Sequence, residues 1–414
     1  MASIIKSTTT DGIQIIPDST GAFAIQTNGA NTALTIDTSQ NATFAGTISS
    51  GAITSSGAVT ASSITATNTV VMGSSFLRNR IINGDMRVDQ RNAGASVTPS
   101  SGQYLVDRFY ALLTQASKFS VQQNAGSVTP PTGFTNYLGV TSLSSYSISS
   151  GDAFNIVQAI EGYNTSDLAW GTANAKTVTF SFWVRSSLAG TFGGSIANDA
   201  GSRSYPFTYT ISSANTWEQK TITITGDTTG TWNTNNSASL RIYFGLGVGT
   251  TYSGTAGTWA GANYVSATGA TSVVGTNGAT WYITGVQLEI GTSATPFERR
   301  LYGQELVNCQ RYYWKFTGPS FAGVCAGYSN GTTTGNFAMK YPVTMRSAPT
   351  FSTGGLSINN ATGNYAVTSV SSGYAGTDAG FTSITTASGL VSGQGCLLTI
   401  NSAGTGYLDG SSEL

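Results

Sequence analysis

Apolar and polar residues alternate strictly over residues 177–185. Val178, Phe180, Phe182 and Val184 fall on one side, and Thr177, Thr179, Ser181, Trp183 and Arg185 on the other. A period of two marks a strand with one buried face. Residues 240–248 repeat the pattern, with Leu240, Ile242, Phe244, Leu246 and Val248 opposite Arg241 and Tyr243. Residues 220–225 give a third such strand. Residues 281–290 give a fourth, with Tyr282, Val286, Leu288 and Ile290 on one face and Gln287 and Glu289 on the other. Two-faced strands separated by Gly, Asn and Ser turns predict a jelly-roll β-sandwich over residues 77–299. A single helical stripe follows: Tyr302, Leu306, Cys309 and Tyr313 at steps of 4, 3 and 4 predict a linking helix over 300–316. Residues 317–414 return to short strands and Gly-rich turns, a small β tip domain. The expected fold class is all-β.

Residues 1–76 differ in character. Short apolar pairs, Ile13/Ile15, Phe23/Ile25 and Leu34/Ile36, are punctuated by turn-forming residues and read as short strands. Beyond them Ile48, Ile53, Val59 and Ile64 step by 5, 6 and 5 positions, which is neither a helical nor a strand period. One apolar residue every five or six cannot bury enough surface against its own chain to offset the entropy of ordering it. Three copies placing these residues around a common axis can. The expected assembly is a homotrimeric shaft with Ile48, Ile53, Val59 and Ile64 on its axis.

Composition narrows the chemistry. Charged residues are 9% of the 414 and the net charge is zero, so there is no basic footprint for nucleic acid or an anionic membrane. No run of 18 apolar residues predicts a membrane span. Histidine is absent, which removes Ser-His-Asp and Cys-His catalysis and histidine metal sites. Cys309, Cys325 and Cys396 are scattered and read as small buried hydrophobes. No calcium-loop pattern occurs, and neither a metal nor a cofactor is expected.

Three kinds of candidate chemistry remain. Gly327-Tyr328-Ser329-Asn330-Gly331 matches a nucleophile-elbow spacing, but in a Gly/Ser-rich chain without a base it reads as a turn. A glycosidase would need a carboxylate pair. Asp85, Asp89, Asp107, Glu161, Glu289 and Glu298 are available, yet the first three lie among Arg80, Arg87, Arg91 and Arg108 and read as ion pairs. Glycan binding fits better, since sugars pack their C–H faces on aromatic rings and their hydroxyls against polar side chains. Trp183, Arg185, Arg241, Tyr243, Gln287 and Glu289 all fall on the non-core side of their strands. Were those strands neighbours, they would form one aromatic-polar surface. Tyr328, Asn330, Tyr365, Tyr374 and Asp378 offer a second candidate in the turn-rich tip.

Several phrases resemble tail fibres and appendages of tailed phages. They are residues 76–91 (FLRNRIINGDMRVDQR) with Val106-Asp107-Arg108-Phe109, then residues 283–291 (ITGVQLEIG) running into Pro296-Phe297-Glu298-Arg299. Cys309-Gln310-Arg311-Tyr312-Tyr313 and the closing Ser412-Glu413-Leu414 complete them. The resemblance implies a carbohydrate-binding-like jelly roll, a homotrimer, and an N-terminal region that docks on a tail or baseplate adaptor. It supplies no ligand residues. The N-terminus lacks the apolar core of a secretion signal. A protein made in the host cytoplasm and carried in the virion as a tail appendage is therefore expected, binding a bacterial surface glycan without catalysis. The alternatives are a capsid-decorating fibre without receptor specificity and a polysaccharide depolymerase.

Overall fold

Long alternating strands and abundant turn residues produce an almost entirely β structure. The computed structural model describes residues 23–27, 31–39, 41–47, 78–401 and 403–414. The chain divides into two units, Met1–Val71 and Met72–Leu414.

In the first unit Phe23–Thr27, Asn31–Ile36 and Ala42–Phe44 form a three-stranded antiparallel sheet. Ile25 and Phe44 are exposed, and none of its described side chains is buried. The pair Ile13/Ile15 and the shaft positions Ile48, Ile53, Val59 and Ile64 lie outside the described residues.

The second unit opens with a two-layer sandwich. One sheet has six strands, in the order Ser204–Ile211, Gly190–Asn198, Ala238–Val248, Ala153–Glu161, Phe109–Leu113 and Tyr104–Val106. The other has five: Glu218–Ile224, Val178–Ser186, Thr280–Ile290, Leu138–Ser142 and Phe119–Gln123. Between them lies one core. Val178, Phe180, Phe182 and Val184 enter it from one sheet, and Leu240, Ile242, Phe244 and Leu246 from the other, all fully buried.

Two bulges break the expected alternation. At Gly285, with φ +62°, the register of Thr280–Ile290 slips. Trp281 and Ile283 therefore join Val286 and Leu288 in the core, while Tyr282 points outward onto Tyr137 and Trp217. A second slip at Gly245/Gly247 moves Val248 to the outer side of its sheet. An extra residue in one strand exchanges the faces of everything beyond it.

The linking helix is shorter than its stripe predicts, Tyr302–Gln310, because residues 313–317 already form a strand. Its buried pair is Glu305 and Cys309, whereas Tyr302 is 56% exposed. The Glu305 carboxylate is held by Arg300 at 3.2 Å and by the backbone N–H of Asn83, so a paired charge replaces the expected apolar contact. Beyond it, Tyr313–Thr317, Tyr407–Ser411 and Thr350–Gly354 form a small sheet beside a closed six-stranded barrel. Among the described residues, no helix is long and apolar enough to cross a membrane.

The phrases that resemble phage fibres converge in one clasp. Asn79 donates to the Val286 carbonyl at 3.1 Å, and Gln158 brackets Ile82 with two backbone hydrogen bonds of 3.0 and 2.9 Å. A Cβ on Gly84 would sit 2.2 Å from the Val286 oxygen, so only glycine fits there. Arg91 reaches Asp107 at 3.1 Å and Glu413 at 3.0 Å. Fully buried Arg108 also pairs with Glu413, while Tyr312 lies 3.6 Å beneath its guanidinium. Glu161 accepts from Arg311 and Tyr312, both at 2.6 Å. Residues 79–91, the helix and residues 412–414 are thereby fastened to the sandwich.

Candidate functional site

The outward face of the five-stranded sheet carries a groove. Its floor follows from cross-strand register: Gln219, Trp183 and Thr284 lie side by side, and Thr221, Ser181 and Gln287 form the next row. Two loops rise over this floor, residues 124–137 and 291–299. Gly285 makes their meeting possible, since a Cβ there would come within 2.7 Å of the Phe134 ring and 3.1 Å of Trp183. Phe134 packs on Phe297 with ring centres 5.2 Å apart. The Arg299 guanidinium lies over both, 4.5 Å from Phe134 and 5.6 Å from Phe297.

The groove holds about 640 Å³ and is lined by Ser181, Trp183, Gln219, Thr221, Gly285, Phe134, Phe297 and Arg299 with Thr132, Ala294, Thr295 and Pro296. Its lining mixes aromatic rings with hydroxyls and one amide, and it includes no carboxylate. The tryptophans differ in their hydrogen bonding. The indoles of Trp170, Trp217, Trp232, Trp259 and Trp281 each donate to a carbonyl or hydroxyl. Among the described residues, half-buried Trp183 and fully buried Trp314 have no such acceptor, and of the two Trp183 lines the groove. Trp183 thus lines the groove with an indole N–H that no protein group accepts.

The six candidates assigned to one aromatic-polar surface separate into three situations. Trp183 and Arg185 stand on the groove face, half-buried. Gln287 and Glu289 share that face but are covered by the 291–299 loop. Gln287 accepts from the Glu298 N–H at 2.7 Å, and Glu289 accepts from Thr295 at 2.8 and 2.7 Å. Both hold the strap in place and neither is open to a ligand. Arg241 and Tyr243 belong to the six-stranded sheet on the opposite side of the sandwich. Arg241 pairs with Asp199 at 2.6 Å and bonds the Tyr110 hydroxyl, and Tyr243 is buried, which raises its hydroxyl above the usual tyrosine range. The single surface expected from alternation is therefore not formed. Phe134, Phe297, Arg299 and Gln219 take part instead. Phe297 and Arg299 stood in a recognisable phrase, but nothing in the sequence pointed Phe134 toward Trp183.

The tip candidates are also divided. Tyr374 is 84% exposed, and it lies near Asp378 at one end of the barrel. Asn330 and Tyr365 lie toward the other end, where Asn330 donates to the Thr334 carbonyl and Tyr365 pairs with Ile358. Tyr365 packs partly into the barrel core, and its hydroxyl meets Thr362 at 3.0 Å. Tyr328 is exposed on the barrel wall. Asp378 accepts from Thr344 and Thr377, which hold its carboxyl below the usual range.

The six carboxylates considered for hydrolysis are each engaged. Asp85 pairs with Arg87, Asp107 with Arg91, Glu161 with Arg311 and Glu298 with Arg300. Asp89 caps a turn through the N–H groups of Asn92 and Gly94, and Glu289 holds Thr295. Ser329 of the elbow-like pentad is fully buried, 3.8 Å from the Cys396 sulfur. Cys309 and Cys396 are buried, whereas Cys325 is half-buried, its thiol pushed up to about 12 by burial. Among the described residues, no group of three or more Cys, Asp or Glu is placed to hold a metal.

No protein-family profile matches the chain, and no curated protein matches it in sequence. Among solved structures, it is similar to the enzymatically active domain of tailspike protein 4 from bacteriophage CBA120. The identity is 14% and the TM-score 0.28, over 51% of this chain and 21% of that one. It is similar to a putative sugar-binding protein from Bacteroides thetaiotaomicron at 12% and 0.30, over 52% and 100% of the two chains. A third is a family 11 carbohydrate-binding module from Clostridium thermocellum in complex with a β-1,3-1,4-mixed-linked tetrasaccharide, at 13% and 0.26, over 48% and 98%. This chain spans about a fifth of the tailspike chain it matches. At such identities and scores, the function of the groove rests on its own geometry.

Proposed function

We propose that this chain is a non-catalytic structural fibre of a phage virion, that it works as a homotrimer, and that the groove over Trp183 binds a host-surface glycan. The observation that carries the binding reading is the half-buried Trp183 ring, its N–H without a protein acceptor, beside Phe134, Phe297, Gln219 and Thr221. Ring faces take the C–H side of a sugar, while hydroxyl and amide groups take its oxygens. A lining without a carboxylate offers neither the acid nor the base that glycoside hydrolysis uses.

The trimer reading is supported by the N-terminal sheet. Three short strands with Ile25 and Phe44 exposed have too little core to stand alone. The virion reading rests on the fibre-like phrases, which the clasp explains as structural rather than ligand-binding.

The test is binding of the full chain to bacterial surface polysaccharides, with Trp183→Ala as comparison. Loss of one stacking ring should cost about 1–3 kcal/mol, or roughly 5- to 150-fold in affinity. Three linked sites should add on the order of 100-fold in avidity on cells. Light scattering should give three times the chain mass. A folded monomer at micromolar concentration ends the trimer reading. A trimer that binds no polysaccharide favours the capsid-decorating alternative.

A further inference from the structure

The charges around the groove distinguish it from the rest of the sandwich. Eight arginines in the described residues form ion pairs with Asp or Glu. Arg346 is used up on three backbone carbonyls. Arg78 borders the undescribed segment. The two that remain, Arg185 and Arg299, have no carboxylate partner among the described residues; Arg299 lines the groove, and Arg185 stands on the same sheet face beyond Trp183.

Their settings differ in a useful way. Arg299 lies flat over Phe134 and Phe297, which orders the guanidinium while leaving its N–H edge free. It influences Asp85 through space, but that carboxylate is already paired with Arg87 at 3.3 Å. Arg185 lies two residues beyond Trp183 on the same strand face, about 7 Å along it. Its Cζ is 5.6 Å from the Tyr282 ring. A chain with so few charges has given nearly all its other arginines an anionic or carbonyl partner, which leaves Arg299 and Arg185 available.

We infer that the groove takes an acidic glycan, a saccharide whose carboxylate or phosphate substituent is held by Arg299, with Arg185 adding to the positive field, while Trp183 stacks on a neighbouring ring. A planar guanidinium fork matches either anion with two parallel hydrogen bonds. A neutral saccharide would leave both cations unmatched. The inference rests on the glycan reading, which it deepens.

The experiment uses the full chain and capsular polysaccharides from a panel of bacterial strains. Each polymer is immobilised in native form, after chemical reduction of its carboxyl groups, and after removal of phosphate by mild hydrogen fluoride. At least one native acidic polymer should bind, and neutralising it should weaken binding on the order of tenfold or more, the scale of one charge-assisted contact. Which treatment weakens binding identifies the anion. Arg299→Gln should lose the same factor on the native polymer and clearly less on the neutralised one, since only the native polymer offers the anion. Arg299→Lys should restore part of it. Trp183→Ala should weaken both forms. Arg299 is exposed, so melting temperatures should show that the variants fold. Equal binding of native and neutralised polymers, or full affinity in Arg299→Gln, would overturn the acidic ligand while the glycan reading stands. Binding of no polymer in any form overturns both.

Discussion

On the five-stranded sheet, strand alternation turns Trp183 and Arg185 outward. On the six-stranded sheet it does the same to Arg241 and Tyr243. The residue types match, and the outcomes do not. Arg241 is consumed by Asp199 and Tyr110, and Tyr243 packs with Tyr110, Val157 and Val265 beneath Tyr104 and Leu414. Arg185 and Trp183 stay half-open, because the strap over their sheet stops at Gln287 and Glu289. An outward aromatic beside an arginine is therefore ambiguous until its hydrogen-bond partners are known. One pair closes a structural layer, and the other lies on the face that carries the groove.

The largest effect should come from the closed side. Glu413→Ala leaves fully buried Arg108 without its carboxylate, and breaking such a pair should cost about 3–5 kcal/mol in urea unfolding. Unchanged stability would mean that the two faces are not closed in different ways. Tyr243→Ala should follow, at about 3 kcal/mol from the cavity it leaves, with glycan affinity unaltered. If affinity falls with it, the faces are coupled. Gly285→Ala sharpens the comparison from the open side. It places a Cβ 2.7 Å from Phe134 at a φ of +62°, so about 1–3 kcal/mol of stability and part of the groove affinity should go together.

The smallest effect concerns pH. Burial alone would raise the Asp227 carboxyl, but the Arg203 guanidinium, at 2.7 Å, and Thr229 hold it below its ordinary value of 3.8. A depressed carboxyl contributes stability above its unfolded value and loses it as pH falls through the folded one. Asp227→Asn should therefore melt earlier than the parent at pH 7, and the gap should close below pH 3.8. A gap that persists in acid would assign the loss to packing.

Much of the fold was legible because a period of two survives wherever a strand is regular. Val178 to Val184 and Leu240 to Leu246 enter the core as alternation requires. It failed at Gly285 and Gly247, where one added residue reverses the faces, and a glycine alone does not announce a bulge. The helix misled because Glu305 is buried through Arg300 and Asn83, partners that a local apolar stripe cannot reveal. Of the groove, Trp183 and Arg185 were accessible by alternation. Phe134 was not, since its place depends on a loop that reaches a strand about 150 positions away. Gln287 and Glu289 were correctly turned outward, yet whether a strap covers them is a tertiary matter.

The Glu413–Arg108 contact spans 305 positions. At a synthesis rate of roughly 5–20 residues per second, Arg108 waits about 15–60 s for its partner to be made. For that interval a guanidinium destined for the interior stays hydrated, and the layer around Tyr104 and Tyr110 lacks the Leu414 that packs against it. The sandwich can collapse early, but its final closure is timed by the arrival of its last residues. Chains cut before Glu413 would keep that seam open, with Arg108 left without its carboxylate.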